Sequence, residues 1–196
     1  MNAINIEFQL LYGLQELHTP FVDSLMVFIT RLADKGWLWL LLGVLLFALP
    51  KTRMVGGCML LSMGIGAIIG NVMLKNIAAR PRPCWIDPSV PLLIRNPEDF
   101  SFPSGHSLAS FAGGVSIFLF DKKWGLPAVM LAMLIAFSRM YLFVHFPTDV
   151  LAGAVIGTLT ACLVAGKAKG GLAGKGGSPQ RAAAEKRQQR EGDING

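Results

Sequence analysis

Three short groups of residues share the chemistry of a phosphate site. The first is Lys75, then six residues, then Arg82-Pro83; the second is Pro103-Ser104-Gly105-His106, and the third joins Ser138-Arg139 to His145 and Asp149. An ammonium offers a point charge, while a guanidinium grips two phosphate oxygens at once. Ser104 suits a helix cap, Gly105 admits close approach of the backbone, and the unpaired amides of a helix start hold anions. His106 falls in the first turn of that helix. Asp149 follows His145 by four residues, so a helix sets both on one face, where the carboxylate can hold one imidazole nitrogen and leave the other free to attack. Each group alone has a plainer explanation: cations snorkelling at a helix end, an ordinary cap, a structural His–Asp contact. Ionisable residues at membrane depth shift the balance toward function.

The elements that position these groups are apolar. Hydrophobic residues make up 53% of the 196-residue chain and charged residues 15%, against about a quarter charged in soluble domains. Runs such as Trp37 to Phe47 identify a polytopic membrane protein. Residues 4–18 alternate apolar and polar positions in the manner of an interfacial helix that ends near Thr19-Pro20. Six spans follow, at roughly 20–33, 36–49, 54–75, 104–120, 125–143 and 147–166, the first two short for a full crossing. Residues 76–103 carry six prolines, which rule out a continuous helix and imply a shaped loop. The fold class expected is therefore all-α: a six-helix membrane bundle over residues 1–166, with an N-terminal interfacial helix. Residues 167–196, rich in Gly, Lys, Arg and Gln, form a disordered basic tail.

Six crossings put both termini on one side with Lys51, Arg53, Lys122, Lys123 and the basic tail, which the positive-inside rule makes cytoplasmic. The three groups then face outward from a plasma membrane. The net charge of +6 reads as anchoring charge rather than as a nucleic-acid surface, because no basic and aromatic residues interleave on a soluble module. Gly66 with Gly70, and Gly153 with Gly157, are small-residue pairs suited to close helix packing in lipid. Trp37, Trp39 and Trp85 fit an outer aromatic belt and Trp124 an inner one. Arg80 and Arg95 read as simple loop charge. Cys58, Cys84 and Cys162 have neither metal nor redox spacing, although Cys84 is a candidate reactive thiol by its place in the loop.

Together the three groups resemble the type 2 phosphatidic acid phosphatase superfamily, whose pattern is Lys, six residues, Arg-Pro; Pro-Ser-Gly-His; and Ser-Arg, five residues, His, three residues, Asp. Every position is filled here, over residues 54–166. The resemblance implies a six-span helical bundle and an enzyme that needs no metal or cofactor. It implies His145 as nucleophile through a phosphohistidine, Asp149 orienting it, and His106 protonating the leaving oxygen. Lys75, Arg82, Ser104, Gly105 and Arg139 would hold the phosphoryl oxygens. The substrate class implied is a lipid phosphate drawn from the bilayer, with undecaprenyl diphosphate first and phosphatidylglycerophosphate or phosphatidic acid next. Vanadate-dependent haloperoxidases resemble the same pattern but are soluble. A phosphate-binding membrane protein without catalysis is the remaining class, and it would not require both a nucleophile and an acid.

Overall fold

A computed structural model describes residues 3–175, and among these every regular element is helical. Residues 167–175, expected in the disordered tail, instead continue the last helix; from 176 onward the tail lies outside the described residues. Helix α1 (Ala3–Gln15) precedes α2 (Pro20–Leu32), a short 3-10 turn at Asp34–Gly36, and α3 (Trp37–Ala48). Helix α4 (Arg53–Ala67) runs into a π-helical stretch, Ile68–Leu74, and then a single turn, α5 (Lys75–Ala78). After the turn α6 (Pro83–Ile86) and the proline-rich loop come α7 (Gly105–Phe120), α8 (Lys122–Tyr141) and α9 (Pro147–Lys175). The six expected spans correspond to α2, α3, the α4–α6 run, α7, α8 and α9. Three stretches are long and apolar enough to cross a membrane by themselves: Arg53–Ile86, Lys122–Tyr141 and Pro147–Gly171.

Local chemistry fixes the helix starts. Thr19 accepts a hydrogen bond from Val22 N at 3.3 Å ahead of Pro20, which occupies the first helical position. Asp121 accepts from the amides of Lys123 and Trp124 at 2.9 and 3.2 Å, and Ser104 accepts from Ser107 N at 3.4 Å. The α5 turn stops at Ala79, whose φ of 42° is left-handed. That reversal sends the chain back toward the bundle at Arg80.

Helix α7 is the central packing element, against α8, α4 and α9. A Cβ on Gly66 would lie 2.7 Å from Leu108 Cδ2, and one on Gly70 would overlap Leu108 Cδ1. On the other side, a Cβ on Gly153 would overlap the carbonyl oxygen of Ser104, and one on Gly157 that of Leu108. Both glycine pairs therefore serve close helix packing, as expected where lipid supplies no hydrophobic drive between helices. Trp39 departs from the expected belt: it is 1% exposed and donates from Nε1 to Ser110 Oγ at 3.0 Å, inside the α3–α7 contact. Trp37 and Trp124 are exposed. Helix α1 turns Glu7 and Leu11, one helical turn apart, into the protein, and its Phe8 ring meets Phe146 edge-on at 5.3 Å. Its opposite face leaves Ile6, Leu10 and Tyr12 exposed.

Candidate active site

The site is assembled at the ends of α5, α7, α8 and α9 by the loop between α6 and α7. Lys75 is buried at the exit of the π-helical stretch, and its ammonium pairs with the carboxylate of Asp99 in that loop. Arg82, extended just ahead of α6, spreads its donors over four residues. Nε donates to Asp99 O at 2.7 Å and Nη2 to Asp99 Oδ1 at 2.6 Å and to Phe100 O at 3.3 Å. Nη1 donates to Val144 O at 2.7 Å and to His145 Nε2 at 3.0 Å. A guanidinium can only donate, so Nε2 of His145 is the acceptor and carries the lone pair. The proton of the neutral ring then belongs on Nδ1.

Nδ1 faces Ser101 Oγ at 3.4 Å, and Ser101 donates to Asp149 Oδ2 at 2.5 Å. The Asp149 carboxylate stands 3.7 Å from Nδ1, beyond hydrogen-bonding range; Ser101 is the group between them. Phe146 N also donates to Asp149 Oδ2, at 2.9 Å. The other oxygen, Oδ1, accepts from Arg80 Nη1 at 2.7 Å. Arg80 is therefore not the simple loop charge that its sequence context suggests. Arg95, whose side chain is exposed and pairs with Glu98 at 2.6 Å, fits that description.

Burial, reinforced by the charges of Arg82 and Arg139, holds the His145 imidazole well below its ordinary pKa. The ring is neutral at physiological pH, and in this structure its Nε2 lone pair is held by Arg82 Nη1. Asp99 is pushed up by partial burial, but the hydrogen bond from Lys75 and the charge of Arg82 overcome this and bring it down to about 2. It stays ionised.

The remaining expected residues line the same region with other partners. Arg139, near the end of α8, donates from Nη1 to Thr30 Oγ1 at 2.7 Å. Its Nε is, among the described residues, a buried donor with no hydrogen-bond partner, a rare condition that calls for an acceptor. Ser104 is fully buried, takes a hydrogen bond from Ser107 Oγ at 2.9 Å, and sends its own amide to Asp149 O at 3.0 Å. Gly105 lies against Asn71 of the π-helical stretch, whose Oδ1 would sit 3.0 Å from a Cβ there. His106 turns toward Asp34, donating from Nε2 to Oδ1 at 3.1 Å, and this hydrogen bond lowers the Asp34 pKa. No direct hydrogen bond links His106 to His145.

Cys84 is buried with its Sγ 3.5 Å from Asn96 Oδ1, the surroundings of an inert structural cysteine rather than of a reactive thiol. Trp85, placed in a belt by the sequence, instead pins the loop by donating to Asn96 Oδ1 and Pro97 O at 3.1 and 3.0 Å. Sequence reasoning passed over Asp99, Ser101, Asp34, Asn71 and Glu7. Of these, Ser101 carried a signal in its nearness to Pro103-Ser104-Gly105-His106.

A multi-pass helical membrane protein with cations gathered on a neutral histidine is the class that fold and site define. Residues 55–168 match the family described as the PAP2 superfamily, and the chain belongs to it. It is 33% identical over 158 residues to an undecaprenyl-diphosphatase of Sulfolobus acidocaldarius, covering 80% of this chain and 74% of that one. It is 32% identical to the undecaprenyl-diphosphatase BcrC of Bacillus subtilis, covering 80% and 79%. Its fold superposes on the crystal structure of a PAP2-type phosphatidylglycerolphosphate phosphatase from Bacillus subtilis with a TM-score of 0.71, at 29% identity over 86% of this chain and 88% of that one.

Proposed function

We propose that this protein is a lipid phosphate phosphatase that works through a phosphohistidine on His145, with undecaprenyl diphosphate as its substrate. The observation that carries the reading is the hydrogen bond from Arg82 to His145 Nε2, which puts a cation and a neutral nucleophile on the same point. Arg82 Nη1 shifts from Nε2 to an oxygen of the arriving phosphoryl group. The freed Nε2 lone pair attacks the terminal phosphorus, the N–P bond forms, and the P–O bond to the leaving lipid phosphate breaks. His106 supplies the proton to the leaving oxygen. Water then attacks phosphorus, His106 takes a proton from it, and the N–P bond breaks to return the lone pair to His145 and release inorganic phosphate.

Lys75, Arg82 and Arg139 neutralise the equatorial oxygens, with the Ser104 and Gly105 backbone at the helix start assisting. Arg139 Nε, a buried donor with no partner among the described residues, is suited to one of those oxygens. Asp149 acts on His145 through Ser101. The site faces outward, because Lys51, Arg53, Lys122 and Lys123 lie at the opposite helix ends and belong on the cytoplasmic side.

The undecaprenyl-diphosphatase relatives support the diphosphate substrate. The similarity to the phosphatidylglycerolphosphate phosphatase favours that phospholipid as the second reading. Phosphate release by the purified protein from undecaprenyl diphosphate, phosphatidylglycerophosphate and phosphatidic acid, each with and without EDTA, tests both. Turnover highest on the first and unchanged by EDTA is expected. Loss of activity with EDTA would overturn the metal-free mechanism, and a His145→Ala protein with normal turnover would overturn the nucleophile.

A further inference from the structure

Asp149 Oδ1 is occupied by Arg80, and Arg80 is occupied in turn by Glu7 of α1. Arg80 Nη1 reaches Asp149 Oδ1 and Thr148 Oγ1, both at 2.7 Å, while Nη2 reaches Glu7 Oε2 at 2.5 Å. The Phe146 ring lies 4.1 Å beneath the guanidinium carbon. Glu7 Oε1 accepts from Thr148 N at 3.1 Å and Thr148 Oγ1 at 2.6 Å, so the same carboxylate also satisfies the start of α9. All three side chains are shielded: Asp149 fully, Glu7 to 10% exposure and Arg80 to 22%. Charges held this deep persist only with partners, and each of the three has them.

We infer that Arg80 and Glu7 are positioning residues for the reaction at His145, and that α1 is thereby part of the catalytic assembly. This rests on the proposed function and deepens it. Arg80 fixes the plane of the Asp149 carboxylate so that Oδ2 points at Ser101 and through it at His145 Nδ1. Alone, Arg80 would also cancel the charge of Asp149. Glu7 prevents this: the Glu7–Arg80–Asp149 row carries one net negative charge beside the ring that becomes positive when Nε2 bonds to phosphorus. Helix α1 is tied to the turn carrying the nucleophile by this charge row as well as by Phe8.

The two residues therefore act on His145 in opposite electrostatic senses. The ring is otherwise faced by Arg82, by Arg139 on α8, by His106 on α7 and by Lys75 on α5, none of which either substitution alters. The test is the pH profile of kcat/KM, together with kcat and KM separately, for undecaprenyl diphosphate hydrolysis in detergent micelles by R80Q, E7Q and wild type. Each variant is expected to lose roughly 10- to 100-fold in kcat, as for other outer partners of a reacting group, with KM little changed. R80Q leaves Asp149 uncancelled and moves the acid limb to higher pH; E7Q leaves Arg80 unopposed and moves it to lower pH.

In a D149N background, R80Q should cost far less than in wild type, since the carboxylate charge that Arg80 holds is gone. Limbs that move together or stay still, full additivity with D149N, or loss confined to KM would overturn the inference. If R80Q does not fold, R80K and the direction of the E7Q limb decide it. A wild-type protein silenced by H145A but indifferent to Arg80 would sink this inference alone. A wild type that releases no phosphate from any lipid offered would instead sink the function on which it rests.

Discussion

Arg82 and His145 are joined by a 3.0 Å hydrogen bond whose direction only one partner can set. Because the guanidinium always donates, the histidine must present a lone pair at Nε2, and its tautomer is decided before any substrate arrives. The same arginine closes on the carbonyl of Val144 and on Asp99, so the bond is held from both sides.

Arg82→Lys keeps the charge and loses this geometry, since one ammonium cannot serve Asp99, Val144 and Nε2 together. The expected outcome is a kcat lower by roughly 10²- to 10³-fold, the usual loss when an oxyanion donor is removed. Phosphate release under saturating undecaprenyl diphosphate reads it directly. A lysine variant with near-native kcat would show that charge alone suffices.

If His145 is the nucleophile, as proposed, its depressed pKa sets the acid limb of the reaction. Protonation would remove the attacking lone pair, and burial with neighbouring cations resists protonation, so activity should persist below pH 6.5 and fail only in more acid solution. The stability sign follows from the same shift. Below about 6.5 the unfolded chain takes up a proton at this residue that the folded protein refuses, so stability falls as pH drops through that value. Thermal melts between pH 5 and 8 should show less acid sensitivity in His145→Ala than in wild type.

Asp99 already satisfies the two cations that a phosphoryl group would need, Lys75 and Arg82. An arriving anion must compete with it. Asp99→Asn is expected to bind inorganic phosphate several-fold more tightly, seen as a lower inhibition constant. Weaker inhibition would mean that the carboxylate serves to hold the cations in place.

Gly153→Ala puts a methyl group against the Ser104 carbonyl at the start of α7. Overpacking of this kind costs about 1–3 kcal/mol, and here it displaces the turn that carries Ser104, Gly105 and His106. Both a lower melting temperature and reduced turnover are expected; a loss of stability with full activity would separate the helix contact from the site.

Sidedness can be read with a thiol probe, but not at Cys84, which is buried. Glu98→Cys, in the exposed part of the same loop, should label from outside intact cells with an impermeant maleimide. Labelling only after the membrane is opened would reverse the orientation.

Much of this was legible in the chain because it is local. Helical spans follow from apolar runs, the α7 cap from Ser104, and the grouping of His145, Arg82 and Asp149 from short fixed spacings. What the chain concealed depends on contacts across long separations. Glu7 looks like one polar position of an interfacial helix until α1 docks beside Thr148. Arg80 looks like loop charge until the left-handed turn at Ala79 aims it at Asp149. Trp39 has belt composition, but Ser110 on another helix gives its indole a buried acceptor. Asp99 is one of several loop acids until the chain folds over Lys75.

The π-helical stretch at Ile68–Leu74 also has a consequence for Lys75. The amide of Lys75 bonds back to the carbonyl of Gly70, five residues away rather than four. That surplus residue turns everything downstream by about 100° relative to an α-helix of the same start. Removing Val72 or Met73, both exposed, would let the ladder close in the ordinary way and swing Lys75 out of reach of Asp99. The angular bearing of this cation is thus written in the number of residues above it, and a deletion there would disable the site without touching any group that meets the substrate.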